Sequence, residues 1–132
     1  MRSALWPSGA NGEHAAEMAE LLVDAGTTIN LIARDQDGRA LGFAEAALRH
    51  DYVNGCKTSP VLFLEGIFVH PDARGQGVAR RLVDAVAAWG RDQGCTEFAS
   101  DAGIANTSSH AMHTALGFVE TQRVVFFRKT LA

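Results

Sequence analysis

Apolar and polar positions along the chain predict several strands and a tight hairpin before the middle of the sequence. Thr28–Arg34 and residues 40–48 have strand character, and Asp37-Gly38 between them is a strong hairpin signal. Val61–Val69 is a longer apolar run that predicts a central strand, closed by Pro71-Asp72. A polar loop over residues 51–56 separates these two regions.

Helical spacing marks three other segments. After the capping signal Asn11-Gly12-Glu13, apolar residues recur with a helical period up to Gly26, namely Ala15, Met18, Leu22 and Val23. Residues 78–93 predict a longer amphipathic helix, whose apolar stripe holds Val78, Leu82, Val86 and Trp89. Residues 108–116 predict a further helix that ends at Gly117.

Short β segments complete the pattern, one at residues 96–100 and a closing hairpin or bulged pair at residues 119–129. Strands and helices alternate only partly, which predicts an α/β (α+β) fold with a mixed sheet. The chain of 132 residues has 47% apolar and 20% charged residues, values typical of a globular protein. We therefore expect a single domain over residues 1–132.

Charge and cysteine content narrow the functional classes. The formal net charge of −3 argues against a general nucleic-acid binder. Cys56 and Cys95 lie far apart without a C-x-x-C motif, which favours free thiols in a reducing compartment. No secretory signal and no apolar run of membrane-spanning length is visible, so we expect a cytoplasmic protein without a membrane partner.

The turn Gly75-Gln76-Gly77 lies between the central strand and the long helix. Glycines allow positive φ angles, and the first N–H groups of a helix form a natural anion site. No Gly-Lys-Ser/Thr follows, which excludes a Walker-type loop, and the third glycine of the dinucleotide fingerprint is missing. The turn predicts a site for a phosphorylated cofactor, with a ligand-free strand–helix connection as the alternative.

Glu65 interrupts the apolar central strand. An ionised carboxylate there requires a partner or access to a cleft. It either forms a salt bridge with a neighbouring strand or binds and deprotonates a cationic amine. Gly66 beside it indicates a bulge or a splay that would expose backbone N–H and C=O groups to a ligand.

Two polar residues of the second predicted helix are further candidates. His113 is able to exchange a proton near neutral pH, with a packed or surface role as the alternative. Asn106 stands where the helix begins, so an N-cap role competes with ligand binding.

Three groups of residues together resemble the GNAT superfamily of N-acetyltransferases. Arg74-Gly75-Gln76-Gly77-Val78-Ala79 matches the acetyl-CoA motif Q/R-x-x-G-x-G/A, and Asn106 with Ala115-Leu116-Gly117-Phe118 matches a second landmark. Within the superfamily, three strings are similar to bacterial aminoglycoside 6′-N-acetyltransferases, namely residues 50–56, residues 63–69 and Ala99-Ser100-Asp101. The resemblance implies a mixed, mostly antiparallel central sheet flanked by helices, acetyl-CoA as cosubstrate without a metal, and a homodimer.

The resemblance also implies the roles of individual residues. The acetyl-CoA site would comprise Ile67, Phe68, Val69, Arg74, Gly75, Gln76, Gly77, Val78, Ala79, Arg80 and Asn106. The aminoglycoside would lie among Trp6, Tyr52, Glu65 and Asp101, where carboxylates attract its amines and aromatic faces pack on its rings. Glu65, or a water that it orders, would deprotonate the 6′-amine, which attacks the acetyl carbonyl directly. The Val69 N–H would stabilise the oxyanion.

His113 occupies the position of a tyrosine that protonates the leaving thiolate in many members, and this role is implied for it.

The chain departs from this pattern mainly on the substrate side. We expect the first strand of close relatives to lack a counterpart before Leu5. Gly9 stands where a close relative has a histidine, and Gln122 stands where relatives have a glutamate, a role that Glu120 would take over. Two rival functions therefore remain open: a GNAT enzyme for another cationic amine, such as a polyamine or a peptide amine, and a non-catalytic acetyl-CoA-binding protein.

Overall fold

Five strands form one sheet in the order β1-β2-β3-β4-β5 in the computed structural model, which describes residues 17–24 as backbone and residues 27–132 in full. Neighbouring strands from β1 to β4 are antiparallel, and β4 and β5 are parallel. The strand bounds are β1 Glu17–Asp24, β2 Thr28–Arg34, β3 Ala40–Arg49, β4 Val61–Val69 and β5 Phe98–Ser100. The mixed, mostly antiparallel sheet expected from the sequence is confirmed.

The turn between β2 and β3 has the conformation that Asp37-Gly38 predicted. Gly38 has a φ of 85°, and its N–H donates to the carbonyl of Asp35 over 3.0 Å. The Asp35 carboxylate accepts the backbone N–H groups of Asp37 and Arg39, each over 2.9 Å. This side chain therefore replaces backbone partners within the turn.

Helix α1, Val78–Asp92, covers one face of the sheet with the predicted apolar stripe. Leu82, Val83 and Val86 are buried, and the helix packs on β2, β3 and β4. Trp89, which was predicted to belong to the apolar stripe, is only partly buried. Gly90 is the last buried residue of the helix. A Cβ on Gly90 would lie 2.5 Å from a methyl carbon of the buried Leu62, so a glycine there allows close helix–sheet packing.

The chain separates into two compact units, of which the second spans Ala102–Ala132. Its helix α2, Thr107–Ala115, agrees with the predicted helix to within one residue at each end. Gly117 follows with a φ of 96°, which is the left-handed conformation expected after a helix C-terminus.

Two predicted elements differ from the structure. The helix expected up to Gly26 is wrong where it overlaps Glu17–Asp24, because these residues pair with β2 as an edge strand. Pairing across the sheet overrides a local helical period. The capping signal, Ala15 and Gly26 lie outside the described residues.

The closing β segments expected at residues 119–129 are also absent from the described chain, where residues 118–132 form no strand. Their apolar side chains are largely exposed, including Phe126 at 85% and Phe127 at 91%. A strand requires a partner for its backbone groups, and a suitable residue composition alone does not supply one.

Candidate functional site

The outer half of β4 has an open edge on the side of β5. β5 pairs with β4 only from Leu62 to Leu64, so among the described strands the ladder stops before Glu65. On the other side, the His70 N–H donates to the Leu41 carbonyl of β3 over 2.8 Å. Because successive backbone groups of a strand alternate in direction, the N–H and C=O groups of Val69 point to the open edge.

Arg74 occupies part of this edge. Its Nε donates to the Val69 carbonyl over 3.1 Å, which ties the residue before the glycine turn to the end of β4. The Val69 N–H points to the same side as this carbonyl. The arrangement therefore presents one backbone donor beside one guanidinium, a combination suited to a carbonyl or anionic ligand.

A β-bulge places Glu65 at the beginning of the open edge. Glu45 of β3 pairs with Gly66, and the next residue, Ala46, pairs with Leu64, so that Glu65 is the extra residue of β4. The bulge expected beside Gly66 is thus confirmed, and it turns the carboxylate out of the regular side-chain alternation. Glu65 is exposed, unlike the four buried residues that precede it in β4.

Arg49 of the neighbouring strand binds this carboxylate. Its Nη2 lies 2.9 Å from Oε2 and 3.0 Å from Oε1 of Glu65, and its Nε lies 3.3 Å from Oε2. Of the two alternatives for Glu65, a salt bridge with a neighbouring strand is therefore present. Because a carboxylate accepts more than one donor, the ion pair does not exclude an amine ligand.

The glycine turn has the backbone conformation of an anion site. Gly75 has a φ of 81° and Gly77 a φ of 80°, and Gly77 is the N-cap of α1. Because glycine has no side chain, Gly77 provides no side-chain cap, and the first N–H groups of α1 have no intrahelical partner. A Cβ at either glycine would meet no atom of the described residues within 4 Å, so there is open space beside both glycines.

The loop between β3 and β4 packs on the sheet, and a hydrogen bond joins its two ends. Val53 is buried against Val61 and Phe63, and the Ser59 hydroxyl donates to the His50 carbonyl over 3.0 Å. Tyr52, in contrast, is 74% exposed. The loop thus combines a fixed base with an aromatic side chain that is open to a ligand.

Glu97, just before β5, holds the second half of this loop. Its carboxylate accepts the Thr58 hydroxyl, the Lys57 N–H over 2.9 Å and the Thr58 N–H over 2.8 Å. These hydrogen bonds, above all that from the Thr58 hydroxyl, lower the pKa of Glu97 below its ordinary value. The charged form of Glu97 therefore stabilises the loop.

Glu97→Ala is expected to flatten the acid dependence of stability. A carboxyl whose pKa is lowered in the folded state contributes stability above its ordinary pKa of 4.5, and loses it as the pH falls through the lowered value. The urea midpoint of the wild type should therefore fall more steeply than that of the variant below about pH 4.5. Asp84→Ala, at an exposed carboxylate of α1, is the control and should follow the wild type. Parallel curves for wild type and Glu97→Ala would contradict this role.

Asn106 caps α2, as one alternative predicted. Its Oδ1 accepts the Ser109 N–H over 3.2 Å and the Ser108 hydroxyl over 3.2 Å. The cap uses only the oxygen of the amide, so that the Nδ2 group can still donate to a ligand. The two alternatives for Asn106 are therefore compatible.

The His113 ring is oriented by its own helix. Nδ1 lies 2.7 Å from the Ser109 carbonyl oxygen, and the ring contacts Phe118 edge-on at a centroid distance of 5.2 Å. A carbonyl only accepts, so Nδ1 carries the proton and Nε2 of the neutral ring is the acceptor. His113 would therefore donate a proton from Nε2 only as the imidazolium.

The remaining predicted substrate residues differ in their surroundings. Asp101 is exposed directly after β5. Glu120 forms an exposed ion pair with Arg123, whose hydrogen bond and charge lower the pKa of Glu120. Gln122 is exposed in the same segment, and Trp6 lies outside the described residues.

Cys56 and Cys95 are free thiols, as predicted, and desolvation is the main cause that raises the pKa of each. In the described ranges, no three His, Cys, Asp or Glu side chains converge as a metal site would require. Within the same ranges, no helix is both long and apolar enough to cross a bilayer.

Sequence reasoning missed Arg49 and Glu97. Arg49 is the last residue of β3, and its contact with Glu65 follows from the pairing of Arg49 with Val61 and the bulge beyond it. Glu97 binds residues about forty positions earlier in the chain. Only the strand register relates these partners, and a single sequence does not reveal that register.

Comparisons with known proteins agree with this arrangement. The acetyltransferase (GNAT) family profile matches residues 1–118. The aminoglycoside N(6′)-acetyltransferase type 1 of Serratia marcescens is 56% identical over 131 residues, which cover 99% of this chain and 89% of that protein. The protein of the same name from Salmonella typhimurium is 52% identical over 129 residues, covering 98% and 88%.

Solved structures extend the similarity to three dimensions. AAC(6′)-Iy in complex with the bisubstrate analogue CoA-S-monomethyl-acetylneamine superposes with a TM-score of 0.76 at 55% identity, covering 80% of this chain and 71% of that one. Its complex with CoA gives a TM-score of 0.75 at the same identity, covering 80% and 78%. The sequence match, the sheet with its bulged fourth strand and the glycine turn before α1 lead to one conclusion: the chain belongs to the acetyltransferase (GNAT) family.

Proposed function

We propose that this protein transfers the acetyl group of acetyl-CoA to the 6′-amine of aminoglycosides and thereby confers resistance to these antibiotics. The observation that carries the proposal is identity of 56% and 52% to two aminoglycoside N(6′)-acetyltransferases over almost the whole chain. The geometry supports it, because β4 places an exposed carboxylate four residues before the backbone groups that point to the open edge.

The cofactor half of the reaction is assigned to β4 and the turn after it. The pyrophosphate would be held by the N–H groups at the start of α1, where the helix dipole favours negative charge. Ile67, Phe68 and Val69 would bind the pantetheine arm through their backbone. The Val69 N–H would donate to the acetyl oxygen and stabilise its developing charge.

The acceptor half is assigned to Glu65 and the surfaces beside it. Glu65 binds the 6′-ammonium and removes its proton directly or through an ordered water, after which the amine attacks the acetyl carbon. As the carbon–sulfur bond then breaks, the nitrogen loses its second proton to solvent and becomes the amide, and the thiolate takes a proton, for which His113 as imidazolium is the proposed donor. Trp6, Tyr52, Asp101, Glu120 and Gln122 are the proposed contacts to the rest of the aminoglycoside.

The proposal also covers the oligomeric state of the protein and its subcellular location. We infer a homodimer, supported by the exposed apolar side chains of Val125, Phe126 and Phe127 in the C-terminal segment. A reducing cytoplasm suits the two free thiols.

A thiol-release assay tests the function against its two rivals. With acetyl-CoA, aminoglycosides should release free CoA at least about ten times more efficiently than polyamines or peptide amines, because several carboxylates contact a rigid polycation. A preference for polyamines or peptide amines would identify a GNAT enzyme for another amine. Acetyl-CoA binding without release for any amine would identify a non-catalytic binding protein.

A further inference from the structure

Arg49 connects three parts of the proposed acceptor site. Its guanidinium carbon lies 3.8 Å above the centre of the Phe63 ring, and the same group holds both oxygens of Glu65. Phe63 packs in turn against Val53 of the β3–β4 loop. Arg49 is also the last residue of β3, immediately before that loop. One side chain therefore contacts the bulge and the strand, and Phe63 relates it to the base of the loop.

The pair leaves room on the carboxylate for a further donor. Oε2 of Glu65 receives two contacts from Arg49, one from Nη2 and one from Nε, whereas Oε1 receives a single contact from Nη2. A carboxylate has about four lone-pair sites, two on each oxygen. Arg49 therefore fixes the plane of the carboxylate and leaves one site on Oε1 for an amine.

Stability does not account for this arrangement. The side chains are 43% exposed in Arg49 and 36% exposed in Glu65, and ion pairs at such exposure contribute little to the free energy of folding. Glu65, as the bulged residue, has no pairing partner on β3, so regular cross-strand pairing does not fix its side chain. A planar guanidinium that is stacked on a ring and forms two hydrogen bonds to a carboxylate restricts that carboxylate more than a flexible ammonium would.

We propose that Arg49 is a positioning residue for Glu65, which it holds with Oε1 directed to the acceptor amine. The inference rests on the proposed function, since it gives Glu65 the role of amine ligand. It adds a residue whose effect on the reaction passes through Glu65 alone. The alternative is competition, in which Arg49 occupies Glu65 and the acceptor must displace it.

A double-mutant cycle of Arg49→Gln and Glu65→Gln separates these cases. Arg49→Gln should lower kcat/KM for 6′-amino aminoglycosides by about 10-fold or more in the wild-type background, but by less than about 3-fold in the Glu65→Gln background. The Kd of acetyl-CoA should change by less than about 2-fold in each variant. Arg49→Lys should restore activity only in part, because it keeps the charge and loses the fork.

Arg34→Gln is the matched control. It removes an arginine of strand β2 whose Nη1 donates to the Gly38 carbonyl in the β2–β3 turn, away from Glu65, and should retain the wild-type kcat/KM. Equal effects of Arg49→Gln in both backgrounds would overturn the positioning role. A higher kcat/KM in Arg49→Gln would overturn it in favour of competition, and a weakened Kd for acetyl-CoA would overturn it in favour of a general disturbance of the fold.

The failure of the proposed function has a different signature. A wild type that binds acetyl-CoA but neither binds nor acetylates any aminoglycoside contradicts that function, and the positioning role is then overturned with it. An active wild type with an additive cycle contradicts only the role of Arg49.

Discussion

Gly77→Leu is expected to weaken acetyl-CoA binding by more than about 100-fold, which corresponds to about 2.8 kcal/mol. Gly77 has a φ of 80° at the start of α1, where a side chain is strained and would occupy the open space beside the glycine turn. That space is where the pyrophosphate is proposed to approach the N–H groups. Isothermal titration with acetyl-CoA measures the effect directly.

Gly94→Leu provides a control with the same strain. Gly94 lies just beyond the other end of α1, has a φ of 91° and is also surrounded by open space. Both substitutions should lower Tm to a similar extent, because each places a side chain in a left-handed conformation. Only Gly77→Leu should lose acetyl-CoA binding. If acetyl-CoA affinity fell equally in the two variants, the cause would be the loss of stability, and the pyrophosphate assignment would be contradicted.

Glu65→Gln is expected to lower kcat/KM for 6′-amino aminoglycosides by about 100-fold, the usual scale for loss of a general base. Glutamine has nearly the same shape but carries no charge and does not accept a proton from the amine at neutral pH. Because Glu65 is the bulged residue and the glycine turn lies beyond the end of β4, the Kd of acetyl-CoA should stay within about 2-fold. Steady-state kinetics and titration calorimetry together provide both readouts.

Glu45→Gln is the matched control for charge. Glu45 lies opposite Gly66, beside the same bulge, and is exposed on β3. Its substitution removes one negative charge near Glu65 and should reduce kcat/KM by less than about 3-fold, because no bond to the reacting amine is lost. Equal reductions in the two variants would mean that the general negative potential, and not Glu65 itself, governs turnover.

The sequence predicted the cofactor side of the fold well because its signals are local. The period of the apolar residues placed α1 within one residue, and the two glycines before it have the positive φ angles expected from their spacing. The bulge was also predicted from a local signal, the glycine Gly66 next to the charged Glu65. Each of these features depends on a few neighbouring residues, which are visible in one sequence.

Features that depend on distant partners were predicted less well. β1 was expected to be helical, and only its pairing with β2 makes it a strand. The apolar residues of the C-terminal segment predicted strands, but no described strand pairs with them. The ion pair of Arg49 and Glu65 needs the register of β3 against β4, shifted by the bulge. The local propensity of a segment does not reveal which distant residues it pairs with, or in which register.

The central claim is transfer of the acetyl group to the 6′-amine, and a matched pair of aminoglycosides that differ only at position 6′ tests it most directly. The wild-type enzyme should acetylate the member with a 6′-amine, with the new amide at that nitrogen in the NMR spectrum of the product. It should leave the member with a 6′-hydroxyl unmodified, since that group carries no ammonium for Glu65 to bind. Acetylation of both members, or an amide at another nitrogen, would contradict the account.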